Sequence, residues 1–278
     1  MSARRVLLAV LIGAATAVAL AFLVLPIVAI FVHTSPGNLV SQLSSKVVKD
    51  AFVVSLKTSA IAQLLILLFG TPTAYLLATR RFRGRSLAIT LVELPLVLPP
   101  AVAGIGLLAA FGRVGLLGPT LQAFGITLPF TQAAVVVAVA FVASPLYVRQ
   151  AIAAFEGVDP NLVAASRTLG VGPVRTFARV VLPLARAGLV AGLALSFARG
   201  LGEFGATIMF AGSLQGVTQT LPLAIYSQFD QDFDAAVAMS AVLVLISLGL
   251  LVSLRVLLSW QRSPSTRSSF RFGLSTSG

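Results

Sequence analysis

FEGVDPNLVAASRTLGVGPVRTFARVVLP, residues 155–183, is a polar island between two long apolar runs. Asp159 before Pro160 reads as a helix start: Asp can accept from the first free amides, and Pro has a helical φ where no N–H is needed. Gly170 and Gly172 supply the stop. The spacing predicts a short helix over about 159–171, with Leu162, Ala165 and Leu169 along one face. A helix of that length is marginal alone in water. Its apolar face therefore docks, either on its own chain as an ordinary connector or on a partner.

Outward from this island the chain is mostly hydrocarbon-compatible. Of its 278 residues, 58% are hydrophobic and only 10% charged. A soluble fold needs a solvated exterior that so few charges cannot supply. Crossing the roughly 30 Å apolar core of a bilayer takes about 20 residues. Runs of that order cover Val6–Val32, Ala51–Thr79, Leu87–Phe111, Ala133–Ala153, Val180–Ala211 and Ala235–Trp260. The reading is an all-α polytopic membrane protein with about six transmembrane helices. Residues 1–262 form the membrane domain, and 263–278 a Ser- and Arg-rich tail expected to be disordered. The first run is too long for the apolar core of a cleaved signal.

The net charge of +12 would suggest nucleic acid in a soluble protein. Here it is topogenic, and no nucleic-acid partner is expected. Arg4, Arg5, the Arg80–Arg85 cluster, Arg149, Arg167, Arg175, Arg179, Arg186, Arg255, Arg262, Arg267 and Arg271 fall on one side. Lys46, Lys49, Lys57 and Arg113 fall on the other, where the last loop carries Asp230, Asp232 and Asp234 instead. Lys and Arg mark the cytoplasmic side, so both termini are placed there and the crossing number is even.

There is no Cys, hence no thiolate metal site, and the single His33 stands at the end of the first apolar run, which comes close to excluding a histidine metal centre or a catalytic triad. No catalytic or metal-binding residue is assigned. No Gly-x4-Gly-Lys-Ser/Thr loop is present, so ATP is not bound by that route.

Helix breakers and charges inside the apolar runs are the remaining chemistry. Pro95, Pro99 and Pro100 interrupt the third run by removing amide donors; Gly200, Gly202 and Gly205 allow a bend or close approach in the fifth. Irregular backbone at membrane depth survives where protein or a watered cavity supplies partners. Both runs are therefore candidates for lining a pathway, against the alternative that the small residues serve packing alone. Arg199 and Glu203, four apart, share a helix face and can pair. Glu93 lies within reach of the Arg80–Arg85 cluster.

The polar island also resembles the cytoplasmic signature of the permease subunits of binding-protein-dependent ABC importers: Glu-Ala-Ala, three residues, Gly, nine residues, Ile-x-Leu-Pro. The matching frame is Ala164-Ala165-Ser166, Gly170, then Val180-x-Leu182-Pro183. Ala164 replaces the signature Glu and Ser166 the second Ala. The resemblance implies a type I ABC importer permease-like fold in which Ala164, Ala165, Ser166, Arg167, Thr168, Leu169 and Gly170 couple to an ATPase. Residues 94–104, 111–115 and 201–212, together with Arg167-Thr-Leu-Gly170, are similar to molybdate permeases and to their tungstate and sulfate relatives.

That likeness implies a homodimer in a bacterial plasma membrane, two ABC ATPase subunits that use ATP and Mg, and an extracytoplasmic molybdate-binding protein. No cofactor is held by this chain. Pro99, Pro100, Ser196, Gly205 and Thr207 are the pathway candidates. An unpaired carboxylate would repel a dianion, whereas hydroxyls and amides suit one. A sulfate or tungstate permease is the nearest alternative, and an ion-coupled secondary transporter or a membrane hydrolase the more distant ones.

Overall fold

A computed structural model describes residues 3–260, all helical apart from connections. The tail assigned to 263–278 lies outside the described residues. Helix α1 (Ala3–His33) is followed by a short α2 (Pro36–Ser44) and a long α3 (Lys46–Thr79). The latter begins where Ser45 Oγ accepts from Val48 N–H, and it carries Pro72 internally. Next come α4 (Arg85–Val97), α5 (Pro100–Phe111), a single turn and a half of α6 (Gly118–Ala123) and α7 (Gln132–Glu156). The polar island forms α8 (Pro160–Thr168) and α9 (Pro173–Thr176). A π-helical turn at Phe177–Val181 leads into α10 (Leu182–Leu201). Helices α11 (Gly205–Ala211), α12 (Leu221–Phe229) and α13 (Phe233–Trp260) complete the described chain.

Among the described residues, α1, α3, α7 and the continuous stretch Pro173–Leu201 are each long and apolar enough to cross a membrane. The third apolar run departs from the expectation of one helix over Leu87–Phe111. It splits into α4 and α5, bent by 116°; counted together they make a fifth candidate span. The cause is local. Leu98 precedes a proline and is forced into extended backbone, with ψ 132°, because the α region clashes with the proline ring. The described apolar part of α13, Phe233–Gly249, is shorter than a full span.

Helix α7 is the axis of the bundle, with α3 and α10 both packed along it and touching each other. Alanines and valines on its buried faces (Ala134, Val135, Ala138, Val139, Ala143, Ala151) admit both neighbours closely. Its largest buried side chain, Tyr147, keeps its hydroxyl satisfied at 2.6 Å from Thr71 Oγ1 on α3. By contrast α1 buries none of its residues and leans on α13, as a helix solvated by lipid does.

The connection 85–131 runs from one end of α7 to the other. At its start Arg85 Nη2 lies 2.7 Å from Glu156 Oε1 at the α7 C-terminus; at its finish Thr131 caps the α7 N-terminus through Ala134 N–H. A 25-residue helix is about 37 Å long, so this connection traverses the full thickness of the bundle despite its bend. Glu93 pairs with Arg149 of α7 at 3.7 Å. The Arg80–Arg85 cluster, its expected partner, instead engages Glu156 through Arg85.

Candidate functional site: two helix breaks and an exposed short helix

The breaks in the third and fifth apolar runs meet. Helix α10 ends at Leu201, and α11 restarts at Gly205 with Phe204 at its N-cap. A methyl group placed on Gly205 would stand 2.5 Å from Pro100 Cβ, and one on Gly104 would stand 2.6 Å from Met209 Cβ and 2.8 Å from the Ala206 carbonyl. These are not tolerable carbon contacts, so α5 and α11 touch through backbone where only glycine fits. Of the expected pathway residues, Pro99, Pro100 and Gly205 are thus brought together although about a hundred positions separate them in the chain.

Glu203 holds the second break. Its side chain is 1% exposed. One carboxylate oxygen accepts from Ala206 N–H at 2.8 Å, tying the loop to the first turn of α11. The other lies 2.8 Å from Arg199 Nη1 on the last turn of α10. The predicted pair forms, and it spans the break: the cation is on one helix and the acceptor side chain caps the next. Such a carboxylate brings no net charge to its surroundings.

Two expected hydroxyls flank this pair. Ser196, one turn before Arg199 and fully buried, accepts from Gln63 Nε2 of α3 at 3.3 Å. Thr207, on the first turn of α11, is fully buried with no hydrogen-bond partner for its Oγ1. The Gln63 Oε1 is buried and unpartnered as well. Gln63 is not among the expected site residues, although an amide in the midst of the apolar run 51–79 marks it in the sequence. A buried hydroxyl without a partner costs about 1–3 kcal/mol relative to a satisfied one. Thr207→Val is therefore expected to leave thermal stability unchanged or slightly raised, while reducing substrate uptake severalfold in reconstituted vesicles. Unchanged uptake removes Thr207 from the pathway.

At the opposite end of α7 the predicted short helix is present. Asp159 Oδ1 accepts from Asn161 N–H at 2.9 Å, Pro160 occupies the first position, and Gly170 has φ +77° after the last turn, a conformation that glycine adopts without strain. Ser166 is buried and its Oγ lies 3.0 Å from Thr176 Oγ1, which fastens α8 to α9; alanine there would lack that contact. Leu162 and Leu169 are 47% and 82% exposed, and Ala164, Ala165, Arg167 and Thr168 are exposed too. The apolar face is therefore not buried on its own chain, while Ser166 and Val163 fasten the helix to it from the other side.

Residues 67–262 match the family of binding-protein-dependent transport system inner membrane components. The chain is a permease of the binding-protein-dependent ABC importers. Within that family it falls in the molybdate, tungstate and sulfate group. It is 46% identical to the molybdenum transport system permease protein of Mycobacterium tuberculosis over 81% of this chain and 86% of that one. It is 38% identical to the sulfate transport system permease protein of Salmonella typhimurium over 75% and 76%. In fold it is similar to a chain in the crystal structure of a bacterial alginate ABC transporter, with a TM-score of 0.76, 14% identity, and coverage of 95% and 97%. ATPase and extracytoplasmic binding-protein subunits are typical partners of ABC importer permeases of this kind, and this permease carries no catalytic motif of its own.

Proposed function

We propose that this permease translocates molybdate into the cytoplasm as a homodimer. Two ABC ATPase subunits and an extracytoplasmic molybdate-binding protein complete the complex, in a bacterial plasma membrane. The observation that carries the anion reading is the neutralised Glu203. At the point where two broken helices touch, the one buried carboxylate is consumed by Arg199 and by an amide, and the free polar group nearby in the chain is a hydroxyl. A tetrahedral dianion passing such a place meets no repelling charge, and the Thr207 hydroxyl, fully buried in this conformation, becomes a donor to it as the breaks open. Molybdate is preferred over sulfate because the greater identity is to the molybdenum permease.

The break also supports the homodimer. Pro99, Pro100 and Gly202 are exposed on the single chain, and irregular backbone at membrane depth needs cover; a second copy supplies it. The crossing traced by residues 85–131, with α1, α3, α7, α10 and α13, supports six spans. Both termini then lie on the arginine-rich, cytoplasmic side.

Helix α8 projects from that side and would seat on the ATPase. ATP-driven closure of the ATPase pair shifts α8 and with it the bundle, so that the breaks open to one face at a time. Such a switch works only through contacts that differ between the two states. The deciding measurement is uptake of labelled molybdate by vesicles holding the whole complex, against a large excess of sulfate. ATP-dependent uptake that sulfate does not suppress is expected; preferential uptake of sulfate overturns the substrate assignment and leaves the importer standing.

A further inference from the structure

The basic end of the bundle holds a cleft that shares Ala164 and Arg167 with the helix proposed to seat on the ATPase, while its α3 and α4 walls have no part in the transport reading. It has a volume of about 1380 Å³ and lies between the C-terminal turns of α3, the start of α4, and the α8–α9 segment. Arg80, Arg81 and Arg167 line it, and along α3 its lining runs back to Thr71. From Thr79 back to Thr71 is eight residues of α3, about 12 Å along the helix. The wall over that distance is Pro72, Tyr75 and Ala78 on one side and Phe177 and Val181 on the other. The cleft thus joins arginines at the end of α3 and on α8 to mostly apolar side chains further back along α3 and on the segment 177–181.

The charges of these arginines are not spent. The carboxylates at this end of the bundle are Glu93, Glu156 and Asp159. Glu93 pairs with Arg149 and Glu156 with Arg85, while Asp159 caps α8. Arg85 is held further by its Nε donating to the Leu77 carbonyl at 2.6 Å. Arg80, Arg81 and Arg167 have no ion pair among the described residues, and all three are exposed. Topogenic arginines need only lie on the cytoplasmic side. Lining one cleft together with Pro72, Tyr75, Ala78, Phe177 and Val181 is a further property, and it suits an occupant with a charged head and a hydrocarbon body.

We propose that this cleft binds one anionic glycerophospholipid of the cytoplasmic leaflet, with its phosphate between Arg80, Arg81 and Arg167 and an acyl chain along Tyr75 and Pro72. Guanidinium groups take phosphate oxygens bidentately, and basic pockets between membrane helices on the cytoplasmic side have the chemistry for anionic head groups. A free phosphate or the transported oxyanion satisfies the arginines and leaves the apolar lining uncovered. An acidic segment of a soluble partner does the same. The lipid alone fills both parts. The proposal rests on the membrane orientation given above and is independent of which ion is carried.

The experiment uses the full-length permease in detergent, titrated with phosphatidylglycerol, phosphatidylcholine or inorganic phosphate, with bound lipid read by native mass spectrometry and thermal unfolding followed in parallel. Phosphatidylglycerol is expected to be retained and to raise the unfolding temperature; the other two are not. Arg80→Gln with Arg81→Gln, both at exposed positions, should weaken retention about thirtyfold, from roughly a factor of five per charge. Arg4→Gln with Arg5→Gln removes as much charge from the same end and should leave retention unchanged.

Equal retention of both lipids, equal loss in the two double variants, or inorganic phosphate acting as well as phosphatidylglycerol overturns the lipid site. So does an intact lipid response with loss of ATPase-subunit binding in the Arg80/Arg81 variant as its sole effect. Molybdate uptake by the complex reports separately on the transport reading.

Discussion

Glu203→Ala is expected to destabilise the permease by about 3 kcal/mol, the low end of the range for breaking a buried ion pair from one side. Two groups lose their partner at once. Ala206 N–H is left without its acceptor, and the Arg199 guanidinium without its counter-ion. The low end applies because the Arg199 side chain is 34% exposed and can partly rehydrate. The discriminating variants are those that separate the two roles. Glu203→Gln keeps an acceptor for Ala206 N–H but strands the cation. Combined with Arg199→Met it removes the charge as well, and the double variant should recover most of the lost stability. Thermal unfolding in detergent measures all three. A double variant no more stable than Glu203→Gln alone would show that charge pairing does not hold the break.

The Arg199–Glu203 pair was legible because the two residues are four apart, although α10 ends at Leu201 and Glu203 lies in the break beyond it, not on a shared helix face. So was the α8 cap, where Asp159, Pro160 and Gly170 each have a backbone reason for their place. Pro99 and Gly202 announced the two breaks for the same reason. Their meeting was not legible, because a proline and a glycine about a hundred residues apart carry no mark of their contact; that comes from α5 and α11 both packing on α7. Ser166 is instructive in the other direction. Read against the family signature it was a departure, whereas in the fold its hydroxyl has a dedicated partner in Thr176. Glu93 showed the limit of reach along the chain as a guide, since its partner is Arg149 on α7 rather than an arginine of the nearby cluster. The bend of 116° between α4 and α5 needed the structure, because proline fixes where a helix breaks but not the angle at which it resumes.

Leu162→Asp with Leu169→Asp should abolish productive association with the ATPase subunits while leaving the permease itself folded. The separation follows from exposure. Both side chains stand largely clear of their own chain, at 47% and 82%, so a charge there costs the isolated permease little. Burying a leucine against a partner is worth about 1.5–3 kcal/mol, and a carboxylate in the same groove adds a desolvation penalty. Losing two such anchors weakens binding at least about a hundredfold, at 1.4 kcal/mol per factor of ten. Ser166→Ala tests the other face of the same helix. It removes the contact that holds α8 to α9, at a cost of about 1 kcal/mol in stability, yet leaves the exposed leucines in place. It should therefore lower the unfolding temperature slightly and permit assembly. Co-purification of tagged permease with the ATPase, together with unfolding of the permease alone, distinguishes the two. Aspartates at 162 and 169 that left assembly and ATP-dependent uptake intact would remove α8 from the coupling path, because no permease–ATPase contact could then depend on its apolar face.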